Sequence, residues 1–564
     1  MKNNGDRNRV KLKKRPALYI VIAVLWAALS VLLWLGNSAN IAAPELLEKF
    51  VGNAAAANCA RVLIVLNTLF ISYFWLNGIK DFLYVIWYCF SKRKLEKSYL
   101  HIRNADTEEI EGKVALIYCT CNDFDGTSLE KSMKQLYSDT VTVILDDSTE
   151  KKYKDAVDAF ASAHEVKVVR RKDRKGFKAG NINNYLKSDE ARAEKFKYIV
   201  ILDSDEIIPQ DFILRCFKYF AYYSNVGIVQ AGHVATRNRN FFMKLFHIGV
   251  NSHWNTYQTM KHRYGFASLL GHGAMISMSC YDSAGGFPEL VAEDLCLSIE
   301  ARNRGFYTAY APDIVCEKEY PVDYAAFKKR HSKWTQGNME FIKNYTGKIL
   351  RSEMQWYEKL DIFLFTYNLP LTAVFALFIL INVAVLPLIL SNMWVGMRWM
   401  IIPTVVFFVS PMLNDVFFWI FRLNFFRFLF YLPCVFVLYG SMFFITFSSS
   451  LLGLFGKRAT FIVTPKNGVK YGLTGAIALQ LGEILFSSVL IAVAAVCSYF
   501  GGHGIYVGIS SVLLIGCTGY LSVFLPLFSN RTYKEGEVRC IDEKTKALTL
   551  KRNGVLSQDM CRKI

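Results

Sequence analysis

Residues 198–209 read YIVILDSDEIIP, a stretch that joins a buried strand to a group of acidic side chains. The apolar run Tyr198–Leu202 is typical of a strand that is covered on both faces. Asp203, Asp205 and Glu206 follow it, so we expect them at the carboxyl edge of a sheet, where α/β proteins bind ligands. Two carboxylates one residue apart can hold a hard divalent cation such as Mg²⁺, and the cation can carry a diphosphate. The alternative is a polar strand end that caps the next helix.

The composition indicates a membrane protein that also has a substantial soluble part. Of its 564 residues, 53% are hydrophobic and 15% aromatic, while 20% are charged. The net charge of +19 is compatible with nucleic acid, but long apolar spans favour anionic lipid head groups and the positive-inside bias as its cause. We therefore expect a lipid bilayer and no nucleic acid as partner. The 13 cysteines include no CxxC pair, which predicts reduced thiols rather than disulfides or a zinc site.

The first 90 residues predict a basic cytoplasmic N-terminus and two transmembrane helices. Residues 1–16 carry seven Lys and Arg, and residues 17–90 hold two apolar runs. Each run is long enough to cross a bilayer, which takes about 20 residues. The linker 36–60 contains a single Lys, so the basic N-terminus is placed inside. The first run is predicted to be an anchor rather than a cleaved signal peptide, because a second apolar run follows it.

Residues 113–345 are predicted to form a cytoplasmic α/β domain between the transmembrane helices. Strand-like and helix-like segments alternate there, which is typical of a mostly parallel sheet covered by helices. The predicted strands are Val114–Tyr118, Val141–Leu145, Glu165–Val169 and Tyr198–Leu202.

The rest of the chain is predicted to return to the membrane. We expect an interfacial helix over 346–361, a transmembrane channel region over 362–528, a gating loop over 457–470, and a short cytoplasmic tail over 530–564. Within the channel region, 425–455 is expected to form a surface or re-entrant hairpin. This arrangement predicts six spans with both termini in the cytoplasm, and seven spans is the alternative. The predicted localisation is the cell membrane.

Two motifs flank the third predicted strand. Asp146 and Asp147 end the second strand, where an acid can accept hydrogen bonds from uracil or ribose. A turn is the alternative, because Asp-Asp-Ser is favourable turn chemistry. Residues 175–181 read KGFKAGN, whose glycines would let the backbone approach a phosphate while Lys178 meets a diphosphate. A solvated basic loop is the alternative there.

Three further motifs follow. Glu293 and Asp294 precede an amphipathic helix, where Asp294 can act as a general base or the pair can simply cap the helix. Residues 330–337 read RHSKWTQG and suit either a sugar and pyrophosphate site or an interfacial anchor. Residues 461–466 read FIVTPK and suit a loop that closes over a phosphate or a short connector.

In chain order these motifs correspond to DD, KAGN, DxD, ED, (Q/R)xxRW and FxVTxK, with Lys333 in place of the Arg of the fifth. This order resembles the membrane-embedded family 2 glycosyltransferases, most closely the bacterial cellulose and curdlan synthases. FxVTxK is the most specific element, because hyaluronan and chitin synthases share the earlier motifs and are not marked by this one. The resemblance covers about residues 113–528. It implies an α/β GT-A glycosyltransferase domain, inserted between transmembrane helices that export the growing polymer.

The resemblance also implies roles for individual residues. Asp203 and Asp205 would bind Mg²⁺ or Mn²⁺ with the donor, and Asp294 would be the base, with Glu293 beside it. The other expected substrate-binding residues are Thr120, Asp123, Asp146 and Asp147 for the nucleoside, Lys178 for the diphosphate, Arg330, Lys333, Trp334 and Gln336 for the acceptor and pyrophosphate, and Phe461, Thr464 and Lys466 for closure over the nucleotide. Two positions depart from the family: Ala292 replaces the usual Thr, and Lys333 replaces an Arg and loses its bidentate fork.

The expected activity is processive, inverting synthesis of a β-glucan from UDP-glucose, with export of a capsular or extracellular polysaccharide. Self-association is left open, and the short tail has no room for a cyclic-di-GMP-binding domain. A non-processive enzyme that makes a glycolipid is the first alternative, and a synthase that uses UDP-N-acetylglucosamine is the second. A transporter or receptor with a degenerate soluble domain is the third, but the intact acids at every motif argue against it.

Overall fold

A computed structural model of the chain describes residues 9–42, 53–107, 110–235, 240–389, 399–421, 423–456, 459, 468–501 and 507–532. Phe461, Thr464 and Lys466 lie outside the described residues, as does most of the predicted tail over 530–564.

A seven-stranded mixed sheet forms the centre of the described domain, with strand order β3-β2-β1-β4-β6-β5-β7. Its strands are β1 (Val114–Thr120), β2 (Thr140–Asp146), β3 (Lys167–Val169), β4 (Tyr198–Asp203), β5 (Val226–Ala235), β6 (Ala274–Ser277) and β7 (Tyr307–Lys318). The four strands predicted from the sequence pair in parallel, as expected. The short strand β6 runs antiparallel to both β4 and β5.

The sheet is buried on both faces because its strands alternate apolar side chains to each side. Leu116 and Tyr118 of β1 join one apolar cluster, with Phe212 on the adjoining helix layer. Ala115 and Ile117 join a second cluster on the opposite face. Neighbouring residues of one strand thus serve two different cores, which is why the strands read as nearly continuous apolar runs.

Helices precede the sheet and cover it. The helices up to the end of this domain are α1 (Ala17–Ala42), α2 (Ala54–Arg103), α3 (Gly126–Met133), α4 (Lys151–His164), α5 (Phe177–Leu186), α6 (Asp189–Ala193), α7 (Phe212–Tyr222), α8 (Phe241–His253), α9 (Thr259–Tyr264), α10 (Met278–Ala284), α11 (Glu293–Asn303) and α12 (Tyr324–Arg351). A π-helical turn, Trp254–Gln258, joins α8 to α9. The predicted boundary at 345/346 falls inside α12, so the sheet domain passes directly into the expected interfacial segment.

The remaining helices are mostly apolar. They are α13 (Trp356–Thr366), α14 (Asn368–Ile389), α15 (Ile401–Trp419), α16 (Phe425–Ser441), α17 (Phe443–Leu454), α18 (Leu473–Leu479), α19 (Leu481–Gly501), α20 (Val507–Leu521) and α21 (Phe524–Ser529). In the part of the chain that the structure describes, five helices are long and apolar enough to cross a membrane, and a sixth arises if α13 and α14, bent by 63°, count as one span. Several apolar helices on each side of the sheet domain are thus compatible with membrane spans.

The hairpin expected over 425–455 is wrong, because Phe425–Leu454 forms one apolar helical run of 30 residues. Pro433 lies inside α16 without ending it. Gly440 allows close packing of α16 against α20. A Cβ atom added at Gly440 would lie 2.6 Å from Thr518 Cγ2 on α20.

The run α16–α17 lies along α12 of the sheet domain. Tyr324 and Ser441 join their hydroxyls at 2.8 Å, and His331 Nε2 lies 2.7 Å from Thr446 Oγ1. The run α16–α17 therefore packs directly against the sheet domain, and the side of the membrane on which 457–470 lies stays a prediction. The number of crossings stays a prediction.

Both ends of the described chain also reach the sheet domain. Lys14 Nζ donates to the His262 carbonyl at 2.7 Å, and a β-bridge pairs Asn240 with Thr532. The start of α19 is held there as well, because Lys328 Nζ lies 2.7 Å from Glu483 Oε2. The side of the membrane on which each terminus lies stays a prediction.

Candidate active site

The acids of the opening stretch lie at the carboxyl edge of the sheet, as expected. Asp203 ends β4, and Lys178 Nζ on α5 donates to its Oδ1 at 2.5 Å. The same ammonium donates to the Gly271 carbonyl at 2.8 Å. Burial alone would raise the pKa of Asp203, but the charges of Lys178, His272 and Lys318 hold it below its usual range. Asp203 is therefore a carboxylate already surrounded by cationic and polar groups.

Asp205 is nearly buried and is tied to the end of β7. Its Oδ2 accepts a hydrogen bond from the Glu319 backbone N–H at 3.2 Å. Asp203 and Asp205 together offer the oxygen donors that Mg²⁺ and Mn²⁺ prefer. A divalent cation fits this pair, because the contact with the Lys178 ammonium shows that the Asp203 carboxylate accepts a positive charge. The two carboxylates would hold such a cation.

Asp123 connects the loop after β1 to the loop after β4. Its Oδ1 accepts from Thr120 Oγ1 at 3.0 Å and from the Cys121 N–H at 2.8 Å. Its Oδ2 accepts from Ser204 Oγ at 2.6 Å. Asp123 therefore fixes the backbone beside Asp203 and Asp205.

Asp146 and Asp147 are held by two arginines that follow β3. Arg170 Nε donates to Asp146 Oδ2 at 2.7 Å, and Arg171 forms a bidentate pair with Asp147. The Ser148 N–H also donates to Asp146 Oδ1 at 2.8 Å, a turn contact of the kind considered above. Because β2 and β3 are parallel neighbours, the residues after their carboxyl ends meet. Residues 170–175 read RRKDRK, and the first two residues of this basic run thus pair with acids.

Lys178 reaches Asp203 because of how α5 begins. Gly176 precedes the helix with φ of 72°, a left-handed conformation that glycine adopts without strain. Gly180 lies so close to the Lys175 carbonyl oxygen that an added Cβ would sit 2.0 Å from it. The two glycines of KGFKAGN therefore bring the first turn of α5 over the sheet edge.

Glu293 and Asp294 form the first turn of α11. The residue before them, Ala292, has no side chain that can cap the helix. Asp294 Oδ1 accepts from the Leu295 N–H at 2.7 Å. Burial raises the pKa of both carboxyls, the charge of Asp294 raises that of Glu293 further, and Lys178 opposes the rise in both. A carboxyl with a raised pKa is suited to accept a proton.

The basic, aromatic helix α12 carries the remaining predicted residues. The Arg330 guanidinium lies 4.5 Å from the centre of the Trp334 ring, a cation–π contact. Trp334 is 47% exposed. Gln336 turns away, and its Nε2 donates to Ser332 Oγ at 3.1 Å. Two residues along a helix point in different directions, so Trp334 and Gln336 do not share a face.

A cavity of about 1270 Å³ unites these residues. The described predicted residues that line it are Thr120, Asp123, Asp147, Lys178, Asp203, Asp205, Glu293, Asp294, Arg330, Lys333 and Trp334. Asp146 and Gln336 are not among the described residues of its wall. The cavity continues between the apolar helices, where its wall includes Trp75 on α2, Phe407 on α15 and Thr518 on α20.

The segment after the predicted gating hexapeptide is attached to the start of α12. The Val469 N–H donates to Asp323 Oδ2 at 3.2 Å, and Asp323 caps α12 by accepting from the Ala326 N–H. The first turn of α12, the helix that carries Arg330 and Trp334, is therefore in contact with the segment at which the described chain resumes after residue 467.

Sequence reasoning missed two cavity residues, His272 and Lys318. His272 Nε2 lies 3.8 Å from Asp203 Oδ2, and Lys318 Nζ lies 2.5 Å from the same nitrogen. Neither residue belongs to a spaced motif. The sequence Gly271-His-Gly273 was the available signal, because closely spaced glycines indicate a tight turn. In the structure both glycines have positive φ, of 88° and 58°.

Residues 198–447 match the family model described as "Glycosyl transferase family group 2". This part of the chain, which includes the second half of the sheet domain, is thus similar to family 2 glycosyltransferases. The sheet domain, called the glycosyltransferase domain below, has the expected GT-A-type α/β fold with a mixed sheet. It is set between groups of apolar helices. The more specific expectation of a bacterial cellulose or curdlan synthase stays a prediction.

Two plant proteins are among the curated relatives of this chain. The chain is 26% identical over 225 residues to "Probable glucomannan 4-beta-mannosyltransferase 11" of Oryza sativa subsp. japonica, covering 38% of this chain and 39% of that protein. It is 24% identical over 221 residues to "Probable glucomannan 4-beta-mannosyltransferase 10" of Arabidopsis thaliana, covering 38% and 40%. The chain thus spans about two fifths of the length of these relatives.

Solved structures similar to the glycosyltransferase domain include the mannosyltransferase PcManGT from Pyrobaculum calidifontis in complex with GDP-Man and Mn²⁺. It is 17% identical with a TM-score of 0.42, and the match covers 69% of this chain and all of that one. S. aureus TarS 1–349 in complex with UDP-GlcNAc is 14% identical with a TM-score of 0.31, covering 53% and 90%.

Proposed function

We propose that this protein is a processive, inverting polysaccharide synthase of the membrane. It transfers a hexose from a nucleoside-diphosphate sugar to the end of a growing chain and passes the product between its apolar helices. The observation that carries the proposal is the single cavity that joins the acids of the sheet edge to α2, α15 and α20. A product extended at Trp334 has a continuous path from there into the helices.

The donor binds at the carboxyl edge of β1, β2 and β4. The loop of Thr120 and Asp123 and the residue Asp147 receive the nucleoside, while Lys178 faces the diphosphate. Asp203 and Asp205 would hold a divalent cation, Mg²⁺ or Mn²⁺, which when bound supplies a Lewis acid for the leaving diphosphate. Lys178 is suited to this position because its ammonium already lies 2.5 Å from Asp203 Oδ1 and can turn to a phosphate oxygen.

Asp294 takes the proton from the acceptor hydroxyl. The hydroxyl oxygen attacks the anomeric carbon, the bond from that carbon to the diphosphate oxygen breaks, and the nucleoside diphosphate leaves with the electron pair. Asp294 is favoured over Glu293 because Glu293 is the more buried of the two. Burial and the charge of Asp294 raise the pKa of Glu293 to about 8, so Glu293 holds its proton more tightly than an ordinary carboxyl.

Trp334 supports the acceptor sugar. Its exposed ring faces the cavity, and Arg330 lies against the ring at 4.5 Å. A flat indole stacks on the apolar face of a pyranose without fixing its hydroxyls. The Trp334 platform therefore tolerates a chain that advances by one sugar at each turnover.

UDP-glucose remains our proposed donor, and GDP-mannose is the second candidate. The named plant relatives are glucomannan mannosyltransferases, which favours a mannose donor. The motif order that includes FxVTxK favours UDP-glucose. We also propose that both termini and the glycosyltransferase domain face the cytoplasm, because Lys14, Lys328 and Thr532 all attach to that domain.

The test uses the full chain, purified in detergent and supplied with one radiolabelled donor at a time. UDP-glucose, GDP-mannose and UDP-N-acetylglucosamine are each tested with Mg²⁺ and with Mn²⁺. A product of high molecular weight, digested by a linkage-specific glycosidase, supports the proposal and names the donor. A single organic-soluble product would instead support a non-processive enzyme that makes a glycolipid.

Two variants sharpen this test. Asp294→Asn is expected to abolish polymer formation, while Asp282→Asn, in a surface pair with Arg192, is expected to retain it. Release of nucleoside diphosphate by Asp294→Asn at the wild-type rate would refute the assignment of the base. No transfer from any of the three donors would refute the synthase.

A further inference from the structure

His272 occupies a constrained position between β6 and the acids of the sheet edge. It is nearly buried, and it lies in the wall of the cavity. Gly271 and Gly273 both have positive φ, and a Cβ at Gly273 would lie 2.4 Å from Glu206 Oε1. The Gly-His-Gly loop therefore brings the imidazole against Glu206, and any side chain at position 273 would clash with that carboxylate.

Glu206 fixes the orientation of the imidazole. Its Oε1 lies 3.0 Å from His272 Nδ1 and 2.8 Å from His233 Nε2, and its side chain is fully buried. A carboxylate only accepts hydrogen bonds, so Nδ1 of His272 carries the hydrogen. The lone pair of neutral His272 is therefore on Nε2.

Nε2 of His272 points to the proposed cation site. It lies 3.8 Å from Asp203 Oδ2 and 2.5 Å from Lys318 Nζ. Two ligands of an octahedral cation with bonds of about 2.1 Å lie about 3.0 Å apart when adjacent and about 4.2 Å apart when opposite. The observed 3.8 Å falls between these values, and the Lys318 ammonium shows that the lone pair receives a cation.

We propose that His272 Nε2 is a nitrogen ligand of the divalent cation bound by Asp203 and Asp205. A histidine that donates its other ring hydrogen to a carboxylate is the usual arrangement of a metal-binding imidazole. The ligand set then contains one nitrogen beside the carboxylate oxygens, which favours Mn²⁺ over Mg²⁺. This inference rests on the proposed function, since it concerns the cation of the same donor site.

A neighbouring group fits a cation less well. Glu206, His233 and Cys316 offer ligand atoms within 4.8 Å of one another, and all three are buried. However, Glu206 Oε1 is already shared by the two imidazoles. Glu206 is thus better described as the group that orients His272.

Pulsed electron paramagnetic resonance of Mn²⁺ on the full-length protein tests the proposal, with UDP and GDP used in turn as the added nucleotide. The wild type is expected to show hyperfine coupling to one histidine nitrogen, and the coupling pattern should change when histidine is ¹⁵N-labelled. His272→Gln should lose the coupling and bind Mn²⁺ about 10- to 100-fold more weakly. His272→Asp should lose the coupling while it retains more of the affinity, because it restores a ligand oxygen. His164→Gln, an exposed histidine on α4, is the control and should leave both unchanged.

Bound Mn²⁺ without nitrogen coupling in the wild type would overturn the proposal and leave the proposed function intact. Coupling that persists in a folded His272→Gln variant would also overturn it. The labelled wild type decides the question even if both variants fail to fold. Failure of Mn²⁺ to bind with either nucleotide would count against the donor site itself, and so against both proposals.

Discussion

Arg171 and Asp147 are joined by two parallel hydrogen bonds, from Nε to Oδ1 at 2.9 Å and from Nη2 to Oδ2 at 2.6 Å. Both side chains are nearly buried, with 6% and 8% exposed. The same guanidinium donates to the carbonyls of Lys175 and Phe177. One arginine thus positions a predicted nucleoside-binding acid and the loop from which α5 begins.

Arg171→Lys is expected to raise the KM for the donor about tenfold with a smaller effect on kcat. Lysine keeps the charge but loses the bidentate geometry, and a lost charge-assisted hydrogen bond costs about 1.5–3 kcal/mol. Steady-state kinetics with the donor identified above measures this change. Arg192→Lys is the control, because its pair with Asp282 is exposed and should change KM little. Equal KM values for both variants would contradict the prediction.

The carboxyl pair Glu293–Asp294 should give the reaction a pH dependence. Because the pKa of both groups is raised, kcat/KM should increase with pH above the ordinary carboxyl range of about 4–4.5. Burial and the charge of Asp294 raise the pKa of Glu293 to about 8, so Glu293→Gln should remove a titration near that pH from the profile. Glu300→Gln lies on the same helix, paired with Lys348, and should leave the profile unchanged. A profile that Glu293→Gln does not move would argue against charge coupling in the pair.

The same pair has a consequence for stability. A carboxyl with a raised folded-state pKa binds more protons when folded, so the free energy of unfolding falls as pH rises above the unfolded-state pKa of about 4–4.5. Glu293→Gln should reduce this fall, which denaturation midpoints at several pH values would measure.

Trp334→Ala should lower the rate of polymer extension about 2- to 10-fold, since one aromatic contact is worth about 0.5–1.5 kcal/mol. Trp334→Phe should retain most activity, because it keeps an aromatic face. The measurement is product length against time at saturating donor. Trp356→Ala, an exposed tryptophan on α13, serves as the control. Shortened products from the Trp356 variant, with normal ones from Trp334→Ala, would reverse the assignment.

Lys261 and Asp361 join the glycosyltransferase domain to the helix α13. Lys261 Nζ donates to both carboxylate oxygens at 3.0 Å, and the Phe266 N–H donates to Oδ2 at 2.7 Å. Lys261→Met leaves a buried carboxylate without its cation, which costs about 3–5 kcal/mol. The thermal midpoint should fall by about 5–15 °C. Lys348→Met breaks the exposed pair with Glu300 and should change the midpoint by far less.

The parallel half of the sheet was predictable because its strands carry their own pattern. β1, β2 and β4 are apolar runs that end in polar residues, and β3 alone is shorter than predicted, since Lys167 rather than Glu165 begins it. β6 has only four residues, Ala274–Ser277, too few to stand out from a loop. Its antiparallel course depends on pairing with β4 and β5, a long-range effect that sequence spacing does not carry.

The site was predictable as a set of acids but not as a set of pairs. The positions of Asp203, Asp205 and Asp294 follow from strand and helix ends. Arg171 reaches Asp147 because β2 and β3 are neighbours, and strand order is invisible in a linear motif. His272 was missed for a related reason. A single histidine between two glycines forms no recognisable motif, and only the fold places Glu206 behind it.

The shared cavity also has a pharmacological consequence. A compound seated against Trp75 and Phe407, between the helices, would touch neither Asp203 nor Lys178. Added donor would not displace it, so its inhibition would be noncompetitive with the nucleotide sugar. It would obstruct the exit of the product rather than the making of the first bonds. Inhibition that deepens as each chain lengthens is therefore the signature expected of a ligand at the helix end.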